Sequence, residues 1–322
     1  MNQSLDPNDP AVSGGLGVPH RLFVFGLGYS ARQLAADLSV QGWEIAGTTR
    51  SAQKASALAA SEGAEAFVFD RGTPLSDPAT ALAGTTHLLS SVPPDAEGDP
   101  VLDAHFDDIV ALAHGGELQW IGYLSTTGVY GDRAGGWVDE TSALEPTGER
   151  GRRRVAAERH WLRLWQEHGL PVHLFRLAGI YGPGRSQFAA LRAGRSRRID
   201  KPGQVFSRIH VADIAQVLAA SIDRPNPGAA YNVCDDEAAD PAEVTAHAAE
   251  LLGMDPPPLV PFATAELSEM GRSFYRDSKR VCNARIKQEL GVRLLYPSYR
   301  EGFPAVLAAE TGTAEPAPER GG

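Results

Sequence analysis

The sequence predicts an α/β protein, a doubly wound parallel sheet followed by a smaller C-terminal lobe. Two observations predict it. The first is Arg21-Leu-Phe-Val-Phe-Gly-Leu-Gly-Tyr-Ser-Ala31, in which a short apolar run meets a glycine turn and opens an amphipathic stretch. The second is the alternation that follows. Short apolar runs and helically spaced apolar positions succeed one another with brief Gly/Pro loops between them.

In order, Leu22 to Phe25 form the first strand. Gly26 turns the chain, and Gly28 lets a pyrophosphate approach the backbone. Ala31 fills the third position of a G-x-G-x-x-A pattern, where a small residue lets helix pack on strand. Tyr29 and Ser30 then sit at a helix N-terminus, whose N–H groups favour an anion. The pattern is that of a Rossmann-type dinucleotide site. Ala31, Leu34, Ala35 and Leu38 continue the helix to Gly42, and Trp43 to Thr48 form the second strand. An NAD site places an acid at this strand's end. Here the residues are Thr48, Thr49, Arg50 and Ser51, so Arg50, 22 residues after Gly28, is expected to meet a 2′-phosphate. The expected cofactor is NADP, with NAD possible. Ala66 to Asp70 and Thr86 to Val92 are further strands, which bring Asp70 and Ser91 towards the cofactor. A helix through Leu102, Phe106 and Ile109 precedes a fifth strand, Leu118 to Ser125. Ligands in such folds bind beyond the carboxyl ends of the strands.

Later segments read as helices over Val211 to Ile222, Pro241 to Leu252, Arg280 to Leu290 and Tyr299 to Ala309. The expected organisation is an arm over 1–20, a dinucleotide-binding domain over 21–185 and a lobe over 186–310. A segment near 204–235 returns to the first domain, and 311–322 form a disordered tail.

Composition excludes several classes. The 322 residues are 43% hydrophobic, ample for a large core. Two distant cysteines, Cys234 and Cys282, and nine scattered histidines give neither a disulfide framework nor a metal motif. No apolar run reaches the roughly 18 residues of a membrane span, and positions 1–20 lack a secretory signal's apolar core. A cytoplasmic protein with no membrane or nucleic-acid partner is expected, its formal charge being −10. Within it, residues 146–211 carry 14 lysines and arginines against 4 acids. Such a basic island suits an anionic small molecule, or else is a solvated face.

Four ordered segments carry a family resemblance: Leu124-Ser-Thr-Thr-Gly-Val-Tyr-Gly131, Leu177-Ala-Gly-Ile-Tyr-Gly-Pro-Gly184 with Arg176 before it, Arg208-Ile-His-Val-Ala-Asp-Ile-Ala215, and Tyr231-Asn-Val-Cys-Asp-Asp236. Together they resemble the extended short-chain dehydrogenase/reductases, which use NAD(P) on carbonyl, sugar-nucleotide or related substrates. Two departures stand out. The first glycine motif of that family is longer, and its catalytic Tyr-x-x-x-Lys is replaced. Arg150 stands where the tyrosine should be and Arg154 where the lysine should be, a pattern similar to the atypical members of the YeeZ type.

Arginine stays protonated at any working pH, so Arg150 cannot shuttle a proton. By the resemblance, Thr126 takes the family's Ser/Thr position and hydrogen-bonds a carbonyl, and Arg154 holds cofactor ribose or substrate. Arg150 and Arg154 lie four apart on a predicted helix and share a face. Three roles stay open for the pair: binding an anion, stabilising an oxyanion, or standing solvated. Tyr130 and Tyr181 are replacement acids or packing residues, and His210 titrates or orients a loop. Arg185, Arg208 and the run Arg192 to Arg198 extend the basic island towards the substrate. An NADP-linked oxidoreductase or epimerase is expected, the alternative being a non-catalytic dinucleotide sensor. Sequence leaves the oligomeric state open.

Overall fold

Seven parallel strands build the central sheet of the computed structural model, which describes residues 20–313. They are β1 (Arg21–Phe25), β2 (Glu44–Thr49), β3 (Glu65–Val68), β4 (His87–Ser90), β5 (Trp120–Thr126), β6 (Val172–Leu177) and β7 (Ala230–Val233). Their order is β7-β6-β5-β4-β1-β2-β3, with the reversal beside β1. That is the doubly wound arrangement, whose switch point lies at the carboxyl ends of β1 and β4. Both faces are covered, so β1, β4 and β6 are buried at every position.

One apolar layer joins Leu22, Leu34, Phe175 and Leu218, and the other joins Phe23, Leu88, Ile109 and Trp161. A third cluster, with Phe188, Val244, Tyr299 and Phe303, forms the core beside the cleft's far wall. The Val211–Asp223 helix packs on the Tyr29–Val40 helix, and β7 adds to the sheet edge.

The structure adds a helix to the sequence expectations and changes others. The Ala52–Glu62 helix had no clear apolar stripe, since only Ala55 and Leu58 are buried. Ser51 caps it, accepting from Lys54 N–H, and Gly63 ends it in the left-handed region. The expected helix from Arg280 is a short strand, Arg280–Val281, paired with Trp137–Val138, and only Ala284–Glu289 is helical. The last helix runs on to Thr311, behind a Ser298/Glu301 capping box. The expected arm up to position 19 and the tail from 314 lie outside the described residues.

Candidate active site

The strand ends open onto a cleft of about 960 Å³, whose other wall comes from the lobe. Its floor begins at the glycine turn. Gly26 has φ +81°, and its turn is held by Thr48 Oγ1, which accepts from Gly26 N–H at 2.8 Å. The Ser91 hydroxyl donates to Gly26 O, so Ser91 braces the turn and also lines the cleft. A Cβ on Gly26 would lie 2.9 Å from Ser91 Oγ and 3.1 Å from Val92. Gly28 is different. It caps the Tyr29–Val40 helix without a side chain, and an added Cβ would meet only Gly26 O at 3.8 Å. The first helical turn has no acidic residue. A bare helix N-terminus facing a cleft over a glycine with open space fits a dinucleotide's pyrophosphate.

Tyr29 and Ser30 line the cleft, and Ala31 is buried against the sheet. The Tyr29 hydroxyl donates to Pro183 O at 3.0 Å, and the Arg185 guanidinium lies 5.7 Å from the Tyr29 ring centre. These contacts tie the glycine loop to the segment after β6. Arg50 is exposed at the end of β2, beside the helix cap Ser51. Asp70 is also exposed, bridged to Thr73 in a turn. Neither lines the cleft.

Thr126 ends β5, and its hydroxyl oxygen accepts from Gly128 N–H at 3.1 Å. The hydroxyl proton is therefore free to point into the cleft that Thr126 lines. Arg154 turns inward: its Nη1 donates to Leu124 O at 2.5 Å and to the Tyr123 hydroxyl at 3.2 Å. Arg150, four residues earlier on the Glu149–His168 helix, is exposed and does not line the cleft. The two arginines therefore do not form one anion fork, because the helix start projects past the cleft while its second turn faces it.

Tyr130 is fully buried outside the cleft. Its hydroxyl donates to Asn232 Oδ1 at 2.7 Å and accepts from Arg176 at 2.9 Å, and burial pushes its pKa up to about 12. Arg176 is itself paired to the buried Glu158 at 2.9 Å, and Glu158 also accepts from Ser125. This network locks the β5 and β6 ends. Tyr181 lines the cleft, but its hydroxyl donates to Ser298 O at 3.2 Å and burial raises its pKa. His210 is buried, accepts from Ala212 N–H at 3.2 Å as a helix cap, and is pushed down to about 4 by burial. It orients its loop and does not line the cleft.

Arg208 does line it, although it is only 9% exposed. Its Nη1 donates to Phe206 O at 2.8 Å. Of the arginines in the run Arg192 to Arg198, expected towards the substrate, Arg197 lines the cleft and Arg192, Arg195 and Arg198 do not; sequence reasoning missed Tyr275, Asp277 and Lys279 altogether. The last three come from a stretch with no periodicity or motif, more than 100 residues from Arg154, so no local signal marked them. Among the described residues, five cations, Arg154, Arg185, Arg197, Arg208 and Lys279, face the cleft against one acid, Asp277. The same residues contain no metal-binding group of histidines, cysteines and acids, and no helix long and apolar enough to cross a membrane.

Known proteins share this architecture. Residues 107–234 match the model of the NAD dependent epimerase/dehydratase family. The chain is 30% identical to protein YeeZ of Escherichia coli K12 over 289 residues, covering 86% of this chain and 96% of YeeZ. The chain belongs to the NAD-dependent epimerase/dehydratase family. The chain is also similar to a functionally unknown conserved protein from Silicibacter pomeroyi. Its structure is 56% identical, with a TM-score of 0.83, covering 90% of this chain and 99% of that one. The fold also matches UDP-glucuronic acid 4-epimerase from Bacillus cereus, solved with UDP-glucuronic acid and NAD, at 13% identity. The TM-score there is 0.73, with 91% of this chain and 99% of that one covered.

Proposed function

We propose that this member of the epimerase/dehydratase family is an NADP-linked oxidoreductase or epimerase acting on a small anionic substrate. One observation carries the reading: the uncapped helix behind Gly28 and the Thr126 hydroxyl open onto the same cleft, whose charged lining is five cations and one acid.

Gly28 and the first-turn N–H groups would hold the pyrophosphate, and Ser91 keeps their turn in shape. Arg50, exposed at the end of β2 where no acid stands, suits the 2′-phosphate of NADP. Arg154 is anchored on Leu124 O and Tyr123, a position from which its remaining N–H groups meet cofactor ribose or substrate. A bound nicotinamide supplies or accepts hydride. Thr126 would then hydrogen-bond the carbonyl oxygen, and Arg185, Arg197 and Arg208 would hold the substrate's anionic group. Arg150, exposed and outside the cleft, has no part in this scheme.

Parallel fluorescence titrations with NADPH and NADH test the reading. Tight NADPH and weak NADH binding support it, and binding of neither refutes it. The missing tyrosine favours a second reading, a non-catalytic dinucleotide sensor. Conformation that follows the cofactor's redox state, with no turnover of anionic carbonyl compounds, would favour that one. Tight binding of UDP-sugars would instead assign the basic wall to a diphosphate.

A further inference from the structure

Hydride transfer to a carbonyl needs a proton, and the residues at the tyrosine and lysine positions cannot give one. The tyrosines of the cleft are poor candidates. The Tyr29 and Tyr181 hydroxyls are spent on backbone carbonyls, and burial raises the pKa of both and of Tyr275. His210 lies outside the cleft lining.

Lys279 is placed differently. Its side chain is 12% exposed and lines the cleft, and Nζ donates to Gly131 O at 2.9 Å. Gly131 ends the 3-10 turn Thr127–Tyr130 that starts at Thr126. The flanking backbone fixes the residue. Ser278 N–H donates to Asp132 Oδ1 at 2.8 Å, Arg133 and Gly135 N–H donate to Ser278 O, and Arg280 pairs with Trp137. Only one of three Nζ protons is bound to Gly131, and the ammonium, on its flexible four-carbon stem, lines the same cleft as Thr126.

We propose that Lys279 is the proton donor of this cleft, in the role that the family's tyrosine has. The proposal rests on the oxidoreductase reading above. In the reductive direction the carbonyl carbon receives hydride from reduced NADP while its oxygen takes a proton from Lys279 Nζ. The C=O π bond breaks as the C–H and O–H bonds form. Lys279 is left as a neutral amine and regains a proton from solvent. The environment suits the role. Burial lowers the lysine pKa, opposed by Asp277, with Oδ2 at 3.8 Å, and by Asp132 on the facing loop, while Arg133 reinforces the lowering.

Two measurements on the full chain test it. The first maps reaction of Lys279 with pyridoxal 5′-phosphate, trapped by borohydride and read by peptide mass spectrometry across pH. Half-maximal labelling of Lys279 should fall at clearly lower pH than that of the exposed Lys54 in the same sample. Equal midpoints overturn the proposal. The second follows NADPH oxidation with pyruvate, 2-oxoglutarate and 9,10-phenanthrenequinone. K279M and K279R should each lower kcat about 100-fold or more, with NADPH affinity unchanged. Loss of rate as pH rises past the lysine pKa should be present in the wild type only. Rescue by arginine, which keeps the charge but cannot release a proton, overturns the donor role. So does a K279M rate equal to the wild type, and in that case the oxidoreductase reading stands. A wild type inactive on all three compounds overturns that reading, and the donor role with it.

Discussion

Gly28→Asp separates the helix's stability from its use. Gly28 has φ −100° and ψ −165°, extended geometry that any residue adopts, and open space where a Cβ would go. An aspartate there becomes an ordinary N-cap. It accepts from first-turn N–H groups and complements the helix dipole, stabilising the helix by a few tenths to about 1 kcal/mol. The same carboxylate occupies the proposed pyrophosphate seat. At about 4 Å, like charges repel by about 1 kcal/mol in bulk water and about 4 kcal/mol at a protein-surface dielectric. At roughly 1.4 kcal/mol per decade, NADPH binding should weaken about fivefold to several hundredfold, while the denaturation midpoint holds or rises. The assay pairs urea unfolding with a fluorescence titration of NADPH. Wild-type affinity in Gly28→Asp would refute the assignment of this helix end to a dinucleotide. Lost stability would refute the account of the cap.

Other consequences follow from the same geometry. Arg50→Gln should raise the Kd for NADPH about 10- to 100-fold, the worth of a charge-assisted contact, and leave NADH unchanged in parallel titrations. Glu158→Ala strands the buried Arg176 and should cost about 3–5 kcal/mol in urea unfolding; a loss under 1 kcal/mol would contradict the network's role. The pH dependence has two limbs. Burial holds His87, His173 and His210 down to about 4 against an ordinary 6.5. The unfolded chain therefore binds more protons between pH 4 and 6.5, and these groups make stability rise with pH there. Asp235 goes the other way: both carboxyl oxygens are buried, and burial, only partly offset by the Arg208 charge and by nearby backbone N–H groups, raises it to about 8. Its folded form holds the extra proton, so stability should fall by about 2 kcal/mol between pH 6.5 and 8. Asp235→Asn should flatten that alkaline fall in thermal melts across pH, and an unchanged fall would show that Asp235 does not titrate there.

Much of the fold was legible because its signals are local. The run from Arg21 to Ala31 specifies strand, turn and helix from adjacent residues, and Gly26 adopts the positive φ that its place in the motif requires. The Ala52–Glu62 helix was not legible, because a helix with two buried residues has no stripe to read. The short strand at Arg280 was hidden for another reason. Its extended form comes from pairing with Trp137–Val138, some 140 residues away in sequence, which overrides the helical spacing around it.

The site divides in the same way. The sequence by itself determined the glycine turn, the absence of an acid after β2, Thr126 at a strand end and the loss of the tyrosine, since each is a matter of residue type at a fixed offset. Tertiary structure alone decided which charges face one another. The docking of the Glu149–His168 helix along the sheet sets Arg154, on its second turn, against the end of β5 and leaves Arg150, at its start, beyond the cleft. Burial among Arg176 and Asn232 places Tyr130 in the core, and a returning strand brings Lys279 to Gly131. Side-chain direction and burial depend on what packs from elsewhere in the chain, and residue spacing carries no record of that.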